Sequence, residues 1–266
     1  MKIALCQLMV GADQNRNLQK AMDFIKQAAQ AGADLAILPE MFVCPYQTEL
    51  FPLYAQEAGG QVWQALSQAA GENRITLVAG SVPGKAGDKV YNTSYIFGTE
   101  GQLLGRHRKV HLFDVDLSGG VKVQESATLA PGQQATVVDA AWGRLGAAIC
   151  YDLRFPELFR QMALAGASLI AVPAAFNLVT GSAHWELTLR ARALDNQLFV
   201  AAVSPARDQT AAYIPYGHSL LVDPWGTVVA EAGTEEELLL AEIDWDYLEK
   251  VRRELPLLQH RRQDLY

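Results

Sequence analysis

Two stretches of the chain repeat one design: Ala31-Gly-Ala-Asp-Leu-Ala-Ile-Leu-Pro39 and Ala165-Gly-Ala-Ser-Leu-Ile-Ala-Val-Pro173. In each, Ala-Gly-Ala marks the end of a helix, a short apolar run predicts a buried strand, and a proline closes the strand. A strand-like segment carrying a cysteine, Cys6 or Cys150, precedes each stretch. Two related strand–helix–strand halves that face each other would explain the repeat, and chance similarity over nine residues is the alternative.

Strand-like and helix-like segments alternate along the rest of the chain. Short apolar runs predict strands at 2–10, 34–39, 76–80, 145–149, 169–172 and 198–203. Apolar residues at helical spacing predict helices at 17–30, 61–73, 156–165 and 184–196. Hairpins are predicted within 91–110 and 216–230, and a long surface loop at 112–135. Since no Gly-, Ser- or Pro-rich linker divides the chain, we predict a single α/β domain over residues 1–266, with helices outside the sheets.

Composition and charge exclude several classes of function. Half of the 266 residues are hydrophobic, and the net charge of −7 comes without a basic block, so we expect no nucleic-acid partner. No apolar stretch approaches the ~20 residues of a membrane span, and the first residues are strand-like, so we expect no membrane association and no targeting signal. The three cysteines lack the spacing of a zinc or redox site, which favours a cytoplasmic protein with reduced thiols.

Cys150 is the candidate nucleophile among the three cysteines. It ends the run Gly146-Ala-Ala-Ile-Cys150, and a predicted helix begins a few residues later. A thiol at such a strand-to-helix turn is exposed at the sheet edge, near free backbone N–H groups that favour a thiolate and stabilise an oxyanion. The alternative is a small buried hydrophobic residue, which is how we interpret Cys6. Cys44 follows a strand end but lacks the strand–turn–helix context.

Three charged residues are candidate partners of this thiol. Glu40 closes a buried strand, where the low dielectric should raise the pKa of its carboxyl towards the range of a general base. Lys109 lies near the end of a strand, and Glu125 lies in the predicted long loop. The alternatives are a solvated loop carboxylate for Glu40 and Glu125, and a basic surface edge for Lys109.

Together these residues resemble the nitrilase superfamily of carbon–nitrogen hydrolases over essentially the whole chain. The matching motifs are Leu-Pro-Glu40, Arg-Lys109-Val-His-Leu and Cys150-Tyr-Asp-Leu-Arg-Phe-Pro-Glu. Further segments resemble the omega-amidase branch, among them His111-Leu-Phe-Asp-Val-Asp116, Gln124-Glu-Ser126, Ala175-Phe-Asn177, Ala183-His-Trp-Glu186 and Arg262-Gln-Asp-Leu-Tyr266. Gln47, Ala174 and Ser182 depart from that branch, in which Gly, Gly and Pro are usual. Gln47 and Ala174 flank the predicted pocket, so these departures bear on substrate preference.

The resemblance implies a fold and a mechanism. The implied fold is a four-layer α-β-β-α sandwich. Cys150 would attack the amide carbon while Glu40 accepts the thiol proton, and water activated by Glu40 would hydrolyse the resulting thioester. Lys109 and the backbone N–H of Tyr151 would hold the oxyanion, and Glu125 would orient the substrate amide and Lys109. No metal and no organic cofactor is implied.

The omega-amidase resemblance also implies a class of small-molecule amide substrate. Arg154 would bind a distal carboxylate, and Phe176 and Tyr46 would line the pocket, which suggests 2-oxoglutaramate and 2-oxosuccinamate. A structural ion pair with Glu157 is the alternative role for Arg154. Two other functions stay open: a sibling amidase acting on deaminated glutathione or short aliphatic amides, and a non-catalytic interaction protein on the same scaffold.

A homodimer is the last implication of the resemblance. The helices after Cys150 and around 184–196 would pack against their copies, with the C-terminal tail at 255–266 crossing over. The Leu255-Pro-Leu-Leu258 run would give this tail an apolar face that a monomer leaves exposed.

Overall fold

The computed structural model describes residues 1–118 and 120–265, whose strands form two large sheets and one small one. Gly119, in the predicted loop, and Tyr266, at the end of the predicted tail, lie outside the described residues. The strands of the first half are β1 (Lys2–Gln7), β2 (Leu35–Ile37), β3 (Gln56–Glu57), β4 (Thr76–Val78), β5 (Val82–Ala86), β6 (Lys89–Phe97), β7 (Leu103–Arg108), β8 (Asp114–Asp116) and β9 (Lys122–Gln124). Those of the second half are β10 (Thr136–Ala140), β11 (Gly143–Ala147), β12 (Leu169–Pro173), β13 (Phe199–Val203), β14 (Leu220–Val222), β15 (Val228–Glu231) and β16 (Glu237–Glu242). The helices are α1 (Gln14–Gln30), α2 (Phe51–Tyr54), α3 (Gln61–Asn73), α4 (Pro156–Leu164), α5 (Leu178–Asn196) and α6 (Trp245–Glu254).

The layers follow from the pairing of these strands. The first sheet has the order β16-β1-β2-β4-β6-β5-β3, with β7 also paired to β6, and the second has the order β10-β11-β12-β13-β14-β15. One apolar core lies between the two sheets, while α1 and α3 cover the outer face of the first sheet and α4 and α5 that of the second. The result is the predicted four-layer α-β-β-α sandwich.

Side chains of the central strands point alternately to the two faces of the sheet, and both faces are covered, which explains why these strands are continuous apolar runs in the sequence. On β1, Ile3 and Leu5 contribute to the core between the sheets, whereas Ala4 and Cys6 pack with the helices outside. The parallel strands β1, β2 and β4, and likewise β11, β12 and β13, are buried on both faces. Both sets of side chains therefore have to be apolar.

The two repeated stretches occupy equivalent places in the two halves. β1-α1-β2 and β11-α4-β12 are each a pair of parallel strands joined through a helix. Each helix is followed by a glycine in the left-handed region, Gly32 with φ of +77° and Gly166 with φ of +90°. The N–H of the next alanine donates to the carbonyl five residues back, at 3.0 Å and 3.1 Å. This is the Schellman arrangement, which favours glycine at that position.

Several predictions of local structure were incomplete. Residues 112–135 hold the β8–β9 hairpin and a 3₁₀ turn at Glu125–Ala127, rather than one unstructured loop. The strands β10 and β16 and the helix α6 were not predicted, because their exposed polar positions hide the apolar pattern. The helix α5 begins at Leu178, before the predicted start, because the Asn177 side chain accepts a bond from the Thr180 N–H at 2.9 Å. Within the described residues, no helix is long and apolar enough to cross a membrane.

Candidate active site

Four of the predicted residues meet in the interior, each placed just after a strand. Glu40 follows β2, Lys109 follows β7, Glu125 follows β9 and Cys150 follows β11. All four are buried, with Cys150 the most accessible at 5%. The alternatives of a solvated carboxylate or a basic surface edge are therefore wrong for Glu40, Lys109 and Glu125. Glu40 and Lys109 follow strands of the first sheet, Glu125 follows a strand of the small sheet and Cys150 one of the second, so the ends of all three sheets meet at the site.

The Lys109 ammonium is the hub of this cluster. Its Nζ donates to Glu40 Oε1 and to Glu125 Oε1, both at 2.9 Å, and lies 3.5 Å from the Tyr46 hydroxyl. Tyr46 in turn donates to Glu125 Oε1 at 2.8 Å, and the backbone N–H of Phe113 donates to the other oxygen of Glu125 at 2.7 Å. Burial alone would lower the pKa of Lys109, but Glu125 and Glu40 together raise it well above its usual value. The amine therefore stays charged.

Glu40 has the environment of a general base. Burial raises the pKa of its carboxyl, the charge of Lys109 opposes that effect, and the charge of Glu125 adds to it. Its Oε1 accepts bonds from Lys109 and from Asn92 Nδ2, the latter at 2.7 Å. Its Oε2 is buried and has no hydrogen-bond partner among the described residues. The bonds to Oε1 thus fix the carboxylate, and Oε2 is left available to accept a proton.

Cys150 departs from expectation in two ways. It begins a 3₁₀ turn, Cys150–Arg154, and the helix α4 starts only at Pro156, so the thiol does not lie at the N-terminus of an α-helix. It is also buried rather than exposed at the sheet edge. Burial, followed by the charge of Glu40, raises the pKa of the Cys150 thiol well above its usual value. This environment favours the protonated thiol, contrary to the expectation that nearby backbone N–H groups favour a thiolate.

The backbone at Cys150 adopts a conformation that is rare for a residue with a side chain. Its φ is +44°, in the left-handed region. Met41, next to Glu40, has φ of +52°. Strained residues of this kind persist only where the surrounding structure holds them, and they gather at functional sites.

Asp152 ties the segment of Lys109 to the turn of Cys150. Its buried carboxylate accepts from His107 Nε2 at 3.0 Å, from His111 Nδ1 at 2.8 Å, and from the backbone N–H groups of Val110, His111 and Ile149. Burial raises the pKa of Asp152, but the histidine bonds hold it well below its usual range, so the carboxylate stays ionised. The two elements are therefore fixed relative to each other by one anion.

Arg154 lies beside the thiol. A small pocket contacts Cys150, Tyr151, Arg154 and Phe176. The Arg154 guanidinium lies 5.0 Å from the centre of the Phe176 ring and 5.8 Å from that of Tyr151. Its Nη1 donates to His184 Nδ1 at 3.1 Å. Among the described residues it forms no ion pair, so the predicted alternative, a salt bridge to Glu157, is wrong.

A larger cavity of about 240 Å³ opens next to the cluster. Glu40, Tyr46, Gln47 and Asp208 are among its lining residues. Tyr213 lines both this cavity and the small pocket at Cys150, and its ring stacks on Tyr46 with 4.5 Å between centroids. Tyr46 therefore lies on the larger cavity, while Phe176 lies on the small pocket.

Sequence reasoning missed three residues of the site. Asn92 holds Glu40, Asp152 holds the nucleophile turn, and Tyr213 lies between the two cavities. A signal was present for Asn92, since Asn92-Thr-Ser is a polar run inside a strand between aromatic residues. Tyr213 comes from the loop before β14, and no local pattern marks it. The described part of the chain contains no group of three or more His, Cys, Asp or Glu side chains that could hold a metal ion.

Comparison with known proteins places this geometry in a family. The model of the carbon–nitrogen hydrolase family matches residues 2–253. The chain belongs to the carbon–nitrogen hydrolase family. An omega-amidase of Xenopus laevis is 49% identical over 265 residues, covering 100% of this chain and 96% of that protein. A human omega-amidase is 46% identical over 265 residues with the same coverage.

Solved structures of carbon–nitrogen hydrolases share the fold. A branch 10 member of the nitrilase superfamily from Saccharomyces cerevisiae is 43% identical, with a TM-score of 0.90 over 98% of this chain and 96% of that one. An amidase of Nesterenkonia, with acrylamide added to its active-site cysteine, is 28% identical, with a TM-score of 0.80 over 97% and 99% of the two chains. The resemblance inferred from motifs is thereby confirmed, and this carbon–nitrogen hydrolase is an amidohydrolase.

Proposed function

We propose that the protein hydrolyses the terminal amide of small dicarboxylic acid monoamides, such as 2-oxoglutaramate and 2-oxosuccinamate, through a thioester on Cys150. The observation that carries the proposal is Arg154, a cation that lies in the pocket of the thiol and has no anionic partner among the residues that the structure describes. The omega-amidases at 46–49% identity support the same reaction class.

The first half-reaction needs a base beside the thiol. Glu40 accepts the proton of Cys150 as the sulfur attacks the amide carbon, which forms the C–S bond and converts the carbonyl to an oxyanion. Glu40 then returns the proton to the amide nitrogen, the C–N bond breaks, and ammonia leaves. The raised pKa of Glu40 suits both transfers, because a base of intermediate strength can also act as an acid.

The second half-reaction uses the same residues with water as nucleophile. Glu40 takes a proton from water while the water oxygen attacks the thioester carbon, and the C–S bond breaks. The thiolate of Cys150 recovers the proton from Glu40. The products are the dicarboxylic acid and the free thiol, so the enzyme is regenerated without any other reactant.

Lys109 supplies the charge for the oxyanion. It is held ionised between Glu40 and Glu125, and a preorganised cation in a buried site needs no reorganisation when negative charge develops. We propose the backbone N–H of Tyr151 as the second oxyanion donor. Glu125, fixed by Tyr46 and a backbone N–H, would hold Lys109 and accept a bond from the substrate amide.

The position of Arg154 predicts selectivity for acidic amides. Arg154→Ala should lower kcat/KM for a carboxylate-bearing amide by roughly 10- to 150-fold, since a charged hydrogen bond contributes about 1.5–3 kcal/mol and 1.4 kcal/mol corresponds to tenfold. Butyramide, which offers no anion, should lose much less. Arg154→Lys should recover only part of the loss, because lysine cannot form two parallel bonds to a carboxylate. Ammonia release from both substrates measures the two losses.

The ratio of the two losses in kcat/KM, measured in one folded variant, decides whether Arg154 binds the substrate carboxylate. Equal losses for the acidic and the neutral amide would mean that Arg154 only supports the turn of Cys150, and the preference for dicarboxylic acid monoamides would be refuted. A panel of about ten acidic and neutral amides distinguishes this preference from that of a sibling amidase. The alternative of a non-catalytic protein on the same scaffold is excluded, because the chain is an amidohydrolase.

We also propose a homodimer formed through α4, α5 and the C-terminal tail. Leu187 on α5 is 67% exposed. Leu164, at the end of α4, and Trp225, in the turn between β14 and β15, are about half exposed. Large exposed apolar side chains on and beside one helical layer are typical of an interface. The run Leu255–Leu258 contributes less than expected, because Leu257 donates its N–H to Gln197 and residues 256–258 are half-buried on their own chain.

Light scattering at micromolar concentration should give twice the chain mass of 29.1 kDa. Leu187→Glu should shift the mass to that of one chain, because it buries a charge without a partner in the proposed interface. Leu53→Glu is the matched control, since Leu53 is 78% exposed on α2, which lies outside the proposed surface. A monomeric mass for the unaltered protein would refute the dimer.

The three cysteines bear on location. Cys6, Cys44 and Cys150 are all unpaired thiols. We propose a cytoplasmic location, because free thiols persist in a reducing compartment.

A further inference from the structure

A second polar cavity lies at the edge of the first sheet, away from the thiol. Its volume is about 240 Å³, and none of its lining residues lines the two cavities at the active site. Arg106 and Arg108 of β7 contribute two guanidinium groups. Polar or aromatic side chains complete most of the wall: Tyr91, Gln133, Gln134 and Thr136. The lining contains no aspartate and no glutamate.

The strand register puts both arginines on one face. Residues two apart on a strand point to the same side, and opposite residues of paired strands share a face. Arg106 lies opposite Tyr95, and Arg108 lies opposite Thr93. Both arginines therefore project from the same face of the sheet, on a strand rather than on a loop.

Neither arginine is neutralised by the protein. Within residues 1–118 and 120–265, Arg106 and Arg108 take part in no ion pair, although the chain carries an excess of acidic residues and a net charge of −7. The Nε of Arg108 is buried and has no hydrogen-bond partner in the described part of the chain. A buried donor left without an acceptor costs free energy that a ligand would recover.

The Arg108 guanidinium is also held in one place. Its Cζ lies 3.7 Å from the centre of the Tyr91 ring, a cation–π contact that fixes the plane of the side chain. Burial, followed by the charge of Arg106, lowers the pKa of Arg108. One fixed guanidinium with a second positive charge on the same face is an arrangement that binds an anion of two or more charges.

We propose that this cavity, the Arg106–Arg108 site, binds a phosphate group, either free or carried on a small molecule. An oxyanion is the natural acceptor for the terminal N–H groups of one arginine while the second arginine supplies further charge. The exposed amides of Gln133 and Gln134 offer additional donors. The cavity is smaller than the roughly 300–1,000 Å³ of sites for larger ligands, which favours a small anion.

The site adjoins the segment that carries Lys109. Arg108 immediately precedes Lys109, and the N–H of Gly132 in the cavity wall donates to the Lys109 carbonyl at 2.8 Å. The wall packs so closely that a Cβ on Gly132 would lie 2.1 Å from the carbonyl oxygen of Arg108. An anion bound here would therefore brace the backbone of the lysine without entering the active site.

Calorimetric titration with inorganic phosphate at constant ionic strength tests the site. The Arg154→Ala protein is the background, which removes the cation of the active site. We expect one phosphate per chain, and Arg106→Gln/Arg108→Gln should weaken binding by at least about tenfold. Lys26→Gln/Lys250→Gln removes the same charge from exposed helical positions and should bind as the background does. Glycerol phosphate in a parallel titration identifies the carrier: tighter binding than free phosphate indicates a phosphate ester.

Two results would overturn the proposal. One is equal phosphate affinity in the Arg106→Gln/Arg108→Gln protein and in its background. The other is that neither phosphate nor glycerol phosphate binds at concentrations up to about 1 mM, the upper end of the range typical of KM values. If the double variant does not fold by circular dichroism, the single change Arg106→Gln, at an exposed side chain, replaces it and should still weaken binding severalfold.

Discussion

Cys150→Ala is expected to reduce amide hydrolysis to background, a loss on the order of 10⁶-fold, as when the covalent nucleophile of another hydrolase is removed. The physical reason is that Glu40 and Lys109 have no other nucleophile of this kind to activate at the centre of the cluster. Ammonia release from an acidic amide is the measurement. A slow substrate should also leave an acyl group on the peptide that contains Cys150, detectable by mass spectrometry.

The other two cysteines are matched controls for this change. Burial raises the pKa of Cys6 and of Cys44 to about 12. Neither cysteine takes part in the hydrogen bonds of Lys109 described above. Cys6→Ala and Cys44→Ala should keep most of the activity. Cys44 is the closer test, because it lines the larger cavity. An acyl adduct on Cys44 would transfer the role of nucleophile to that residue.

Lys109→Met should lower kcat by about 10²–10³, because the oxyanion loses a preorganised positive charge. Lys109→Arg should restore little of the loss, since a planar guanidinium does not replace a compact ammonium between Glu40 and Glu125. Steady-state ammonia release gives kcat for both variants. Lys122→Met, at a lysine that is 78% exposed, is the control for loss of a lysine elsewhere.

Folding must be checked in this series. Removal of Lys109 leaves two buried carboxylates without their cation, which costs about 3–5 kcal/mol when a buried pair is broken. Circular dichroism has to show native structure before kcat is interpreted. Lys109→Arg keeps a positive charge and is the variant of choice if Lys109→Met unfolds. Full activity in folded Lys109→Arg protein would remove the ammonium from the mechanism.

The α/β class with helices outside the sheets followed from local patterns, because the central strands and outer helices have strong periodicity; the four-layer arrangement followed from the resemblance to the nitrilase superfamily. The repeated turns at Gly32 and Gly166 were visible in the sequence, since each is a local arrangement with a glycine where φ is positive. The hairpin β8–β9 and the edge strand β16 were missed, because strands exposed on one side carry few apolar residues. Local periodicity indicates which residues are buried, and few residues of these elements are buried.

The site was predictable where a residue type is unusual for its place. Glu40 after an apolar strand and Cys150 before a predicted helix stood out in this way. The raised pKa of the thiol could not be predicted, because it depends on burial and on the charge of Glu40, which approaches from another part of the chain. Tyr213 and Asp152 act through contacts across long sequence separations, and only the folded chain shows them.

The left-handed backbone conformation of Cys150 implies a trade-off between the stability of the fold and the catalytic activity of the thiol. A side chain in this conformation costs about 1–2 kcal/mol relative to the right-handed one, and glycine is free of that cost. Selection for thermal tolerance alone would therefore favour a glycine at position 150 and discard the thiol. A programme of directed evolution for a more heat-resistant catalyst has to hold this position fixed and seek its gains in surface loops and helix caps.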